Sequence, residues 1–223
     1  TVTNRGTDRF ELLEVTADLL LRAYAGGVFP MADSADADEI YWVEPRRRGV
    51  LPIDGFHLSR SLRKRLRRGD YRVTVDTAFD AVVAACADRP ETWINPQIRT
   101  LYGALHERGM AHSVEVWTAE GLAGGLYGVR LGAAFFGESM FSRIRDGSKI
   151  ALAHLVARLR HGGFRLLDTQ FTTGHLESLG ALSVSRIAYR ALLDDALTHH
   201  ADFYSFPSDA SAERVIQEIS HTS

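Results

Sequence analysis

The pattern of residues 112–137 constrains the fold of this chain more than any other stretch. Residues 112–117 alternate between apolar and polar side chains, as a half-buried strand does, and a turn follows at residues 119–121. Residues 122–129 form a returning segment, and residues 131–137 are apolar enough for a third strand. Consecutive strands joined by tight turns pair antiparallel. The chain is therefore predicted to contain an antiparallel meander.

Helices and further strands flank this meander. Helices are predicted over residues 17–25, 58–68, 77–87, 96–108, 148–160, 173–179 and 186–199, and strands over 41–43, 49–52, 71–75 and 164–168. Residues 28–31 are expected to be an exposed apolar turn. Strands come first and helices are interleaved late, which favours the α+β class with a central, mostly antiparallel sheet. We expect a small N-terminal domain (1–70), a main domain (71–204) and a C-terminal tail (205–223) without a clear core face.

The composition is that of an ordinary globular protein. Of 223 residues, 45% are hydrophobic and 24% are charged. No apolar run approaches the roughly 20 residues needed to cross a bilayer. Residues 1–10 are polar and lack the apolar segment of a signal peptide. Cys86 is the single cysteine, which excludes an internal disulfide and fits a cytoplasmic protein.

Positive charge is concentrated in one part of the chain. Residues 41–72 contain ten Lys or Arg and three Asp or Glu, although the whole chain has a net charge of −2. Helix 58–68 carries a cationic face opposite its leucines, formed by Arg60, Arg63, Lys64 and Arg67. Because no acidic residue interrupts this run, we interpret the face as a contact for RNA phosphates. The alternative is an ordinary solvated helix face.

Two tryptophans are candidates for contacts with RNA bases. Trp42 is closely followed by three arginines at positions 46–48, and Trp93 flanks a polar loop. Aromatic rings can stack on unpaired bases while arginines bind the neighbouring phosphates. Each ring alone is more often a core residue. Together with the basic helix, they favour binding of a single-stranded RNA end.

Glu138, Asp168 and Gln170 are the candidate catalytic residues. Glu138 follows the apolar run 132–136, and Asp168 ends the predicted strand 164–168 on the same side as Gln170. Polar groups at the ends of core strands are costly to bury, and such carboxylates are prone to a perturbed pKa. The alternative is that both carboxylates stabilise the sheet end through hydrogen bonds. No closely spaced set of His or Cys residues is present, so no metal site is expected.

Several blocks of sequence occur in an order that is typical of one family. They are residues 23–31, 92–94, 111–117, 124–129, 137–143, 148–149, 168–170 and 178–181. These blocks resemble the leucyl/phenylalanyl-tRNA–protein transferases over roughly residues 19–195. The chain lacks a Gly-Leu-Leu-Ala block that many members carry before the first helix, so a shorter N-terminal domain is expected.

The resemblance implies a GNAT-like (N-acetyltransferase-like) main domain. It also implies transfer of Leu or Phe from a charged tRNA to a protein that begins with Arg or Lys, which marks that protein for degradation. The implied aminoacyl pocket consists of Leu126, Phe135, Met140, Leu152, Leu155 and Leu159, with Trp42 and Trp93 near the terminal adenosine. Glu138 and Asp168 would receive the acceptor's cationic group. Gln170, oriented by Asp168, would bind the attacking amine.

This chemistry requires no cofactor. An aminoacyl ester is already activated, so positioning can supply much of the acceleration without ATP or a metal ion. The amine's proton leaves either through Asp168 or through the ribose hydroxyl of the tRNA, and the sequence leaves both routes open. A monomer is expected.

Two other functions compete with this one. An acyl-CoA-dependent N-acyltransferase needs a Gly-rich turn for a pyrophosphate, to which residues 143–148 correspond weakly. A non-catalytic RNA-binding module explains helix 58–68 but gives no role to Glu138, Asp168 and Gln170.

Overall fold

The computed structural model describes residues 15–220, in which eight helices and nine strands occur. The helices are α1 (Ala17–Ala25), α2 (Arg60–Arg67), α3 (Phe79–Ala87), α4 (Pro96–Glu107), α5 (Gly147–His161), α6 (Gly174–Ser178), α7 (Arg186–Leu197) and α8 (Ala212–Ser220). The strands are β1 (Phe29–Met31), β2 (Tyr41–Val43), β3 (Arg47–Val50), β4 (Arg72–Val75), β5 (Ala111–Thr118), β6 (Gly121–Leu131), β7 (Ala134–Ser142), β8 (Leu166–Gln170) and β9 (Leu182–Ser185). Residues 1–14 of the predicted N-terminal domain and residues 221–223 of the predicted tail lie outside the described residues. None of the helices within residues 15–220 combines the length and apolar character that a membrane crossing requires.

A large sheet forms the centre of the fold. Within residues 15–220 it has seven strands in the order β4-β5-β6-β7-β8-β3-β9, and β1 and β2 form a separate two-stranded sheet. β7 and β8 run parallel, whereas the other neighbouring pairs of the large sheet run antiparallel. The predicted α+β fold with a mostly antiparallel sheet is confirmed, and β5, β6 and β7 are the predicted meander.

The two faces of the large sheet carry two separate apolar cores. Phe135 and Phe136 are consecutive on β7 and fully buried, yet they belong to different cores, because strand side chains alternate between faces. Residues of α2, α5 and α8 pack on the face of Phe135. Residues of α1, α3, α4 and α7 pack on the face of Phe136. The sheet is therefore the middle layer of three.

Polar caps set the starts of several helices. Thr16 Oγ1 accepts a hydrogen bond from the backbone N–H of Leu19 at 3.2 Å, at the start of α1. Asn95 Oδ1 accepts from the N–H of Ile98 at 2.8 Å, and Pro96 occupies the first turn of α4. Such caps satisfy N–H groups that have no partner within the helix. The predicted starts of the helices at residues 17 and 96 agree with these caps.

β7 and β8 extend beyond their predicted ends. β7 continues to Ser142, and β8 continues to Gln170. Glu138 and Asp168 therefore lie within strands, and the expectation that they end strands is wrong. These carboxylates are tolerated inside the strands because other elements of the fold supply hydrogen-bond donors to them.

Glu138 is the extra residue of a β-bulge. On β6 and β7, Tyr127 pairs with Ser139 and Gly128 pairs with Gly137, so Glu138 has no opposite residue. A bulge bends its strand and changes the direction of the side chains that follow.

The N-terminal segment is more closely joined to the main sheet than the sequence suggests. Residues 28–31 are not an exposed turn, because β1 pairs there with β2 and Phe29 has 2% of its surface exposed. β3 lies between β8 and β9, so a segment assigned to the N-terminal domain supplies an inner strand. β9, which was not predicted, pairs with β3 from Arg47 to Val50.

The chain after residue 205 has a clear core face, contrary to the expectation. α8 buries Val215 and Ile216 in the core that α2 and α5 share. Arg158 of α5 fixes the preceding segment by donating to the carbonyl oxygens of Phe203 and Phe206, both at 2.8 Å. The signal was present in the sequence, since Val215, Ile216 and Ile219 have the spacing of one helix face.

We expect the substitution Ile216→Ala to lower the free energy of unfolding by about 2–4 kcal/mol, because it removes a buried aliphatic group from a packed core. Urea denaturation measures this change. The exposed neighbour on the same helix provides a control, and Gln217→Ala should change stability by less than about 0.5 kcal/mol. Equal stabilities for the two variants would contradict the docking of α8.

Candidate functional site

A cavity opens where β7 and β8 separate. In the described chain, their pairing runs from Ala134 opposite Leu166 to Phe136 opposite Asp168. The cavity beyond this point has a volume of about 320 Å³, a size typical of small-ligand sites. A larger cavity of about 490 Å³ lies beside β4 and is lined by other residues. The smaller cavity is the candidate site because Glu138 lines it.

One side of this cavity is an apolar wall. It consists of Leu126, Met140, Leu152 and Leu155, all of them predicted pocket residues. The other two predicted pocket residues lie in the core instead. Phe135 is fully buried and stacks on Phe203 with a centroid distance of 5.7 Å. Leu159 is fully buried in the same core.

The bulge at Glu138 places Met140 on this wall. Strict alternation would put Met140 on the same face as Phe136, four residues earlier. Instead, Met140 packs against the core that contains Phe135 and lies opposite Leu126 on β6. The extra residue shifts the alternation by one position.

Hydroxyl and amide donors surround the carboxylate of Glu138. Oε1 accepts from the hydroxyl of Tyr24, and Oε2 accepts from the hydroxyl of Tyr102 at 3.0 Å and from Nε2 of Gln170 at 3.1 Å. The two tyrosine hydroxyls also contact each other at 2.5 Å. Tyr24 belongs to α1, Tyr102 to α4 and Gln170 to β8. The sequence analysis missed both tyrosines, and no local pattern connects them to Glu138.

Burial sets the protonation of Glu138. Desolvation raises its pKa to about 7, although the three hydrogen bonds favour the charged form. Its donors are uncharged, and within residues 15–220 no cationic side chain forms an ion pair with it. A cation that entered the cavity would therefore be attracted to an uncompensated carboxylate.

Asp168 is fully buried and already has several partners. Arg48 donates from Nε to Oδ1 at 3.0 Å and from Nη2 to Oδ2 at 2.6 Å. The hydroxyl of Tyr189 donates to Oδ2 at 2.7 Å, and the backbone N–H of Gln170 donates to Oδ1 at 2.7 Å. Asp168 was expected to receive a cation of the acceptor, whereas the structure places a cation of the protein there.

Arg48 does not have the role expected for the three arginines at positions 46–48, which were interpreted as phosphate contacts. It has 2% of its surface exposed, and its guanidinium lies between the rings of Phe29 and Tyr189, at 4.6 and 4.5 Å from their centroids. Nη1 also donates to the carbonyl oxygen of Gly27 at 2.8 Å. Strand alternation was the available signal, because Arg48 shares a face of β3 with the buried Val50.

Gln170 connects the two carboxylates. Its backbone binds Asp168, and its side-chain amide binds Glu138. Its φ of 63° lies in the left-handed region, which is uncommon for a residue with a side chain. The hydrogen bond from its N–H to Asp168 holds the backbone in this conformation, and so directs the side chain towards Glu138.

The two predicted base-stacking tryptophans occupy different positions. Trp93 lines the cavity. Trp42 lies on β2 with 38% of its surface exposed, outside the lining. The structure therefore brings Trp93 together with Glu138, whereas Asp168 and Gln170 do not line the cavity.

The cationic face of α2 is partly neutralised, contrary to the expectation that no acid pairs with it. Arg67 forms an ion pair with Glu213 of α8 at 2.6 Å, and Arg63 donates to Ser220 at 3.2 Å. Within residues 15–220, Arg60 and Lys64 form no ion pair and are exposed. The acids that pair with this helix lie far away in sequence or just beyond its end, where the run of charges gave no sign of them.

We expect Arg48→Met to lower the free energy of unfolding at pH 7 by about 3–5 kcal/mol, because the Asp168 carboxylate would stay buried without its cation. Chemical denaturation at pH 7 measures this change. The exposed neighbour Arg47 provides a control, and Arg47→Met should leave the free energy of unfolding nearly unchanged. Equal losses of stability in the two variants would contradict a special role of the buried pair.

Comparisons with known proteins indicate the same family along most of the chain. A family model described as leucyl/phenylalanyl-tRNA protein transferase matches residues 50–194, and a model of the N-terminal domain of this family matches residues 14–46. A protein of Paramagnetospirillum magneticum named leucyl/phenylalanyl-tRNA–protein transferase is 62% identical over 193 residues, covering 85% of this chain and 92% of that protein. A protein of the same name from a Ruegeria species is 58% identical over 211 residues, covering 95% and 100%.

Likeness to solved structures is more distant. The structure of L-PGS from Bacillus licheniformis aligns with a TM-score of 0.39 and 12% identity, covering 70% of this chain and 53% of that chain. The match of residues 50–194 and the high identity to the curated relatives decide the assignment. The chain, which has the α+β fold expected from its sequence, belongs to the leucyl/phenylalanyl-tRNA protein transferase family.

Proposed function

We propose that this protein transfers a leucyl or phenylalanyl group from a charged tRNA to the α-amino group of a protein that begins with Arg or Lys. The observation that carries the proposal is the composition of one cavity. An apolar wall formed by Leu126, Met140, Leu152 and Leu155 lies in the same cavity as the buried carboxylate of Glu138. The wall fits an uncharged side chain, and the carboxylate fits a cation.

The wall would select the aminoacyl group of the donor. Leucine and phenylalanine side chains bury apolar surface against it, at roughly 25 cal/mol per Å². A polar side chain would lose its hydrogen bonds to water at a cost of about 1–3 kcal/mol. Discrimination between apolar side chains is weaker, since one methylene changes binding by about 1–3 kcal/mol. Trp93, which also lines the cavity, supports a position for the terminal adenosine beside the wall.

Glu138 would bind the cationic side chain of the acceptor's first residue. A charge-assisted hydrogen bond from a guanidinium or ammonium group compensates a carboxylate that its uncharged donors leave unneutralised. This contact supports the preference for Arg or Lys. It also places the adjacent α-amino group near Gln170, which is hydrogen-bonded to the same carboxylate.

Gln170 would orient the attacking amine. Because its Nε2 donates to Glu138, its carbonyl oxygen Oε1 is the end left to accept an N–H of the amine. The neutral amine attacks the ester carbonyl carbon, the carbon–oxygen bond to the ribose breaks, and a peptide bond forms. The amine loses one proton and the ribose oxygen gains one, so the step is balanced without a cofactor.

The partners of Asp168 support the ribose oxygen as the destination of the proton. Both oxygens of Asp168 accept hydrogen bonds from Arg48, Tyr189 and Gln170, so their lone pairs are already engaged. We therefore assign Asp168 and Arg48 to positioning Gln170. Reaction within a preorganised complex can supply a rate gain without a general base of the protein.

The exposed cations of α2 would contribute to binding the tRNA. Among the described residues, Arg60 and Lys64 are the members of the predicted set without a side-chain partner, while Arg63 and Arg67 contact Ser220 and Glu213 of α8. In this proposal a monomer acts in the cytoplasm, where charged tRNA is present. Its product begins with Leu or Phe and is thereby marked for degradation.

A mass assay tests the proposed function directly. Incubation with leucyl-tRNA should add one leucyl group to an Arg-initiated peptide.

The variant Glu138→Gln should lower kcat/KM about a hundredfold, because the acceptor's cation would lose its charged partner. A citrulline-initiated peptide, which has the same shape without the charge, should already react poorly with the parent enzyme and be little affected by the substitution. Equal losses with both peptides would contradict a contact between Glu138 and the cation, and the exposed-site variant Glu120→Gln should leave both rates unchanged.

The pH profile of kcat/KM should reflect Glu138. Its pKa of about 7 means that the carboxylate is charged above pH 7 and protonated below it, so activity should rise as the pH increases through 7. The acceptor's amine, with a pKa near 8, adds a second rise. In Glu138→Gln the lower of the two rises should disappear while the upper one remains. A profile of the variant that superimposes on the parent profile after scaling would contradict this assignment.

A further inference from the structure

A second, polar cavity adjoins the candidate site. It has a volume of about 310 Å³ and shares Arg89 and Met140 with the cavity of Glu138. Arg143 and Ser148 contribute to its remaining lining. The two cavities thus meet at the end of the apolar wall, where β7 leads into α5.

The polar cavity carries positive charge that the protein does not neutralise. Its charged lining consists of Arg89, Arg143 and Asp88, all of them exposed. In the part of the chain that the structure describes, neither arginine forms an ion pair. Arg89 donates to the carbonyl oxygen of Met140, and Arg143 donates to the carbonyl oxygen of Leu122 at 3.3 Å. Each guanidinium has more donors than these contacts use, so both can still bind an anion.

Two neighbouring cations differ from Arg89 and Arg143, because each of them has an acidic partner. Lys149 and Arg145 both lie near Asp146, at 3.4 and 3.8 Å. The side chain of Arg145 is 88% exposed, and neither residue lines the polar cavity. Of the two cavity arginines without an ion pair among the described residues, Arg89 also lines the candidate site.

The chemistry of the proposed donor places an anion at this position. The terminal nucleoside of a charged tRNA carries the aminoacyl ester on its 2′ or 3′ oxygen and a phosphodiester on its 5′ oxygen. With the aminoacyl group on the apolar wall and the adenosine beside Trp93, the phosphodiester emerges one ribose away from the ester. Arg89 lines both cavities and so marks the boundary between the two parts of such a ligand.

We propose that the polar cavity is a phosphate subsite in which Arg143 and Arg89 bind the 5′ phosphodiester of the donor's terminal nucleoside. This inference rests on the proposed function. Arginine suits the role because its planar guanidinium binds two phosphate oxygens at once. The subsite would fix the terminal nucleoside independently of the cations on α2.

Two minimal donors that differ by one phosphate test the subsite. Leucyl-adenosine carries the ester without a phosphodiester, whereas cytidylyl-(3′→5′)-leucyl-adenosine carries one. The variant Arg143→Ala should raise KM for the dinucleotide donor about tenfold or more, as expected for loss of a charge-assisted hydrogen bond. KM for leucyl-adenosine should stay within about twofold of the parent value. Arg143→Lys should have an intermediate effect, because lysine keeps the charge but lacks the planar fork that binds two phosphate oxygens at once.

The control Arg145→Ala removes the same charge two residues away and should leave both KM values unchanged. An equal rise of KM for both donors in Arg143→Ala, or no rise for either, would overturn the subsite. Either result would leave the proposed function standing as long as the parent enzyme transfers leucine. Failure of the parent enzyme with every donor would instead count against the proposed function.

A binding measurement tests the subsite without catalysis. By calorimetry, cytidylyl-(3′→5′)-adenosine should bind the parent protein more tightly than adenosine does, and Arg143→Ala should abolish the difference. Equal affinities of the two ligands for the parent protein would overturn the proposal. Coenzyme A that bound as tightly as the dinucleotide would also overturn it, since the cavity would then accept a different phosphate ester.

Discussion

The buried ion pair between Arg48 and Asp168 holds the site together. Removing two charges from water costs several kcal/mol, and a pair recovers this cost when its geometry is good and its remaining donors and acceptors are satisfied. Here the arginine binds both carboxylate oxygens, lies between two aromatic rings, and donates to a backbone carbonyl. Asp168 in turn holds the backbone of Gln170 in a left-handed conformation. One interaction thereby joins β3 to β8 and fixes the residue nearest to the proposed chemistry.

Glu138 shows how a second carboxylate, close to the first, acquires a different role from its surroundings. Asp168 has a cation of the protein as partner, whereas Glu138 has uncharged donors and a pKa raised to about 7 by burial. A carboxylate whose oxygens already bind a cation of the protein is suited to stabilise the structure. A carboxylate without a cationic partner is suited to bind a cation of a substrate. The two carboxylates lie on the neighbouring strands β7 and β8. Their different environments give Asp168 a positioning function and Glu138 a binding function.

The cavity itself results from two irregularities of the sheet. β7 and β8 pair over a short stretch and then separate, and the bulge at Glu138 shifts the alternation of β7. The first irregularity leaves room for a ligand, and the second turns Met140 towards Leu126 on the apolar wall while Glu138 remains on the polar side. Neither can be recognised in the sequence, because a bulge and a separation of strands depend on which residues face each other across the sheet.

The sequence alone determined the meander, the α+β class, the cap of α1 and the identity of Glu138, Asp168 and Gln170 as residues of interest, because periodicity and local chemistry are written along the chain. It also carried the blocks that indicate the family. The tertiary structure decided what surrounds those residues: Tyr24 and Tyr102 for Glu138, Arg48 and Tyr189 for Asp168, and Glu213 for the basic helix. Most of these partners lie tens to more than a hundred residues apart, and no local pattern encodes contacts at such separations. Their pairing follows from the packing of helices on both faces of one sheet, which is a property of the folded chain.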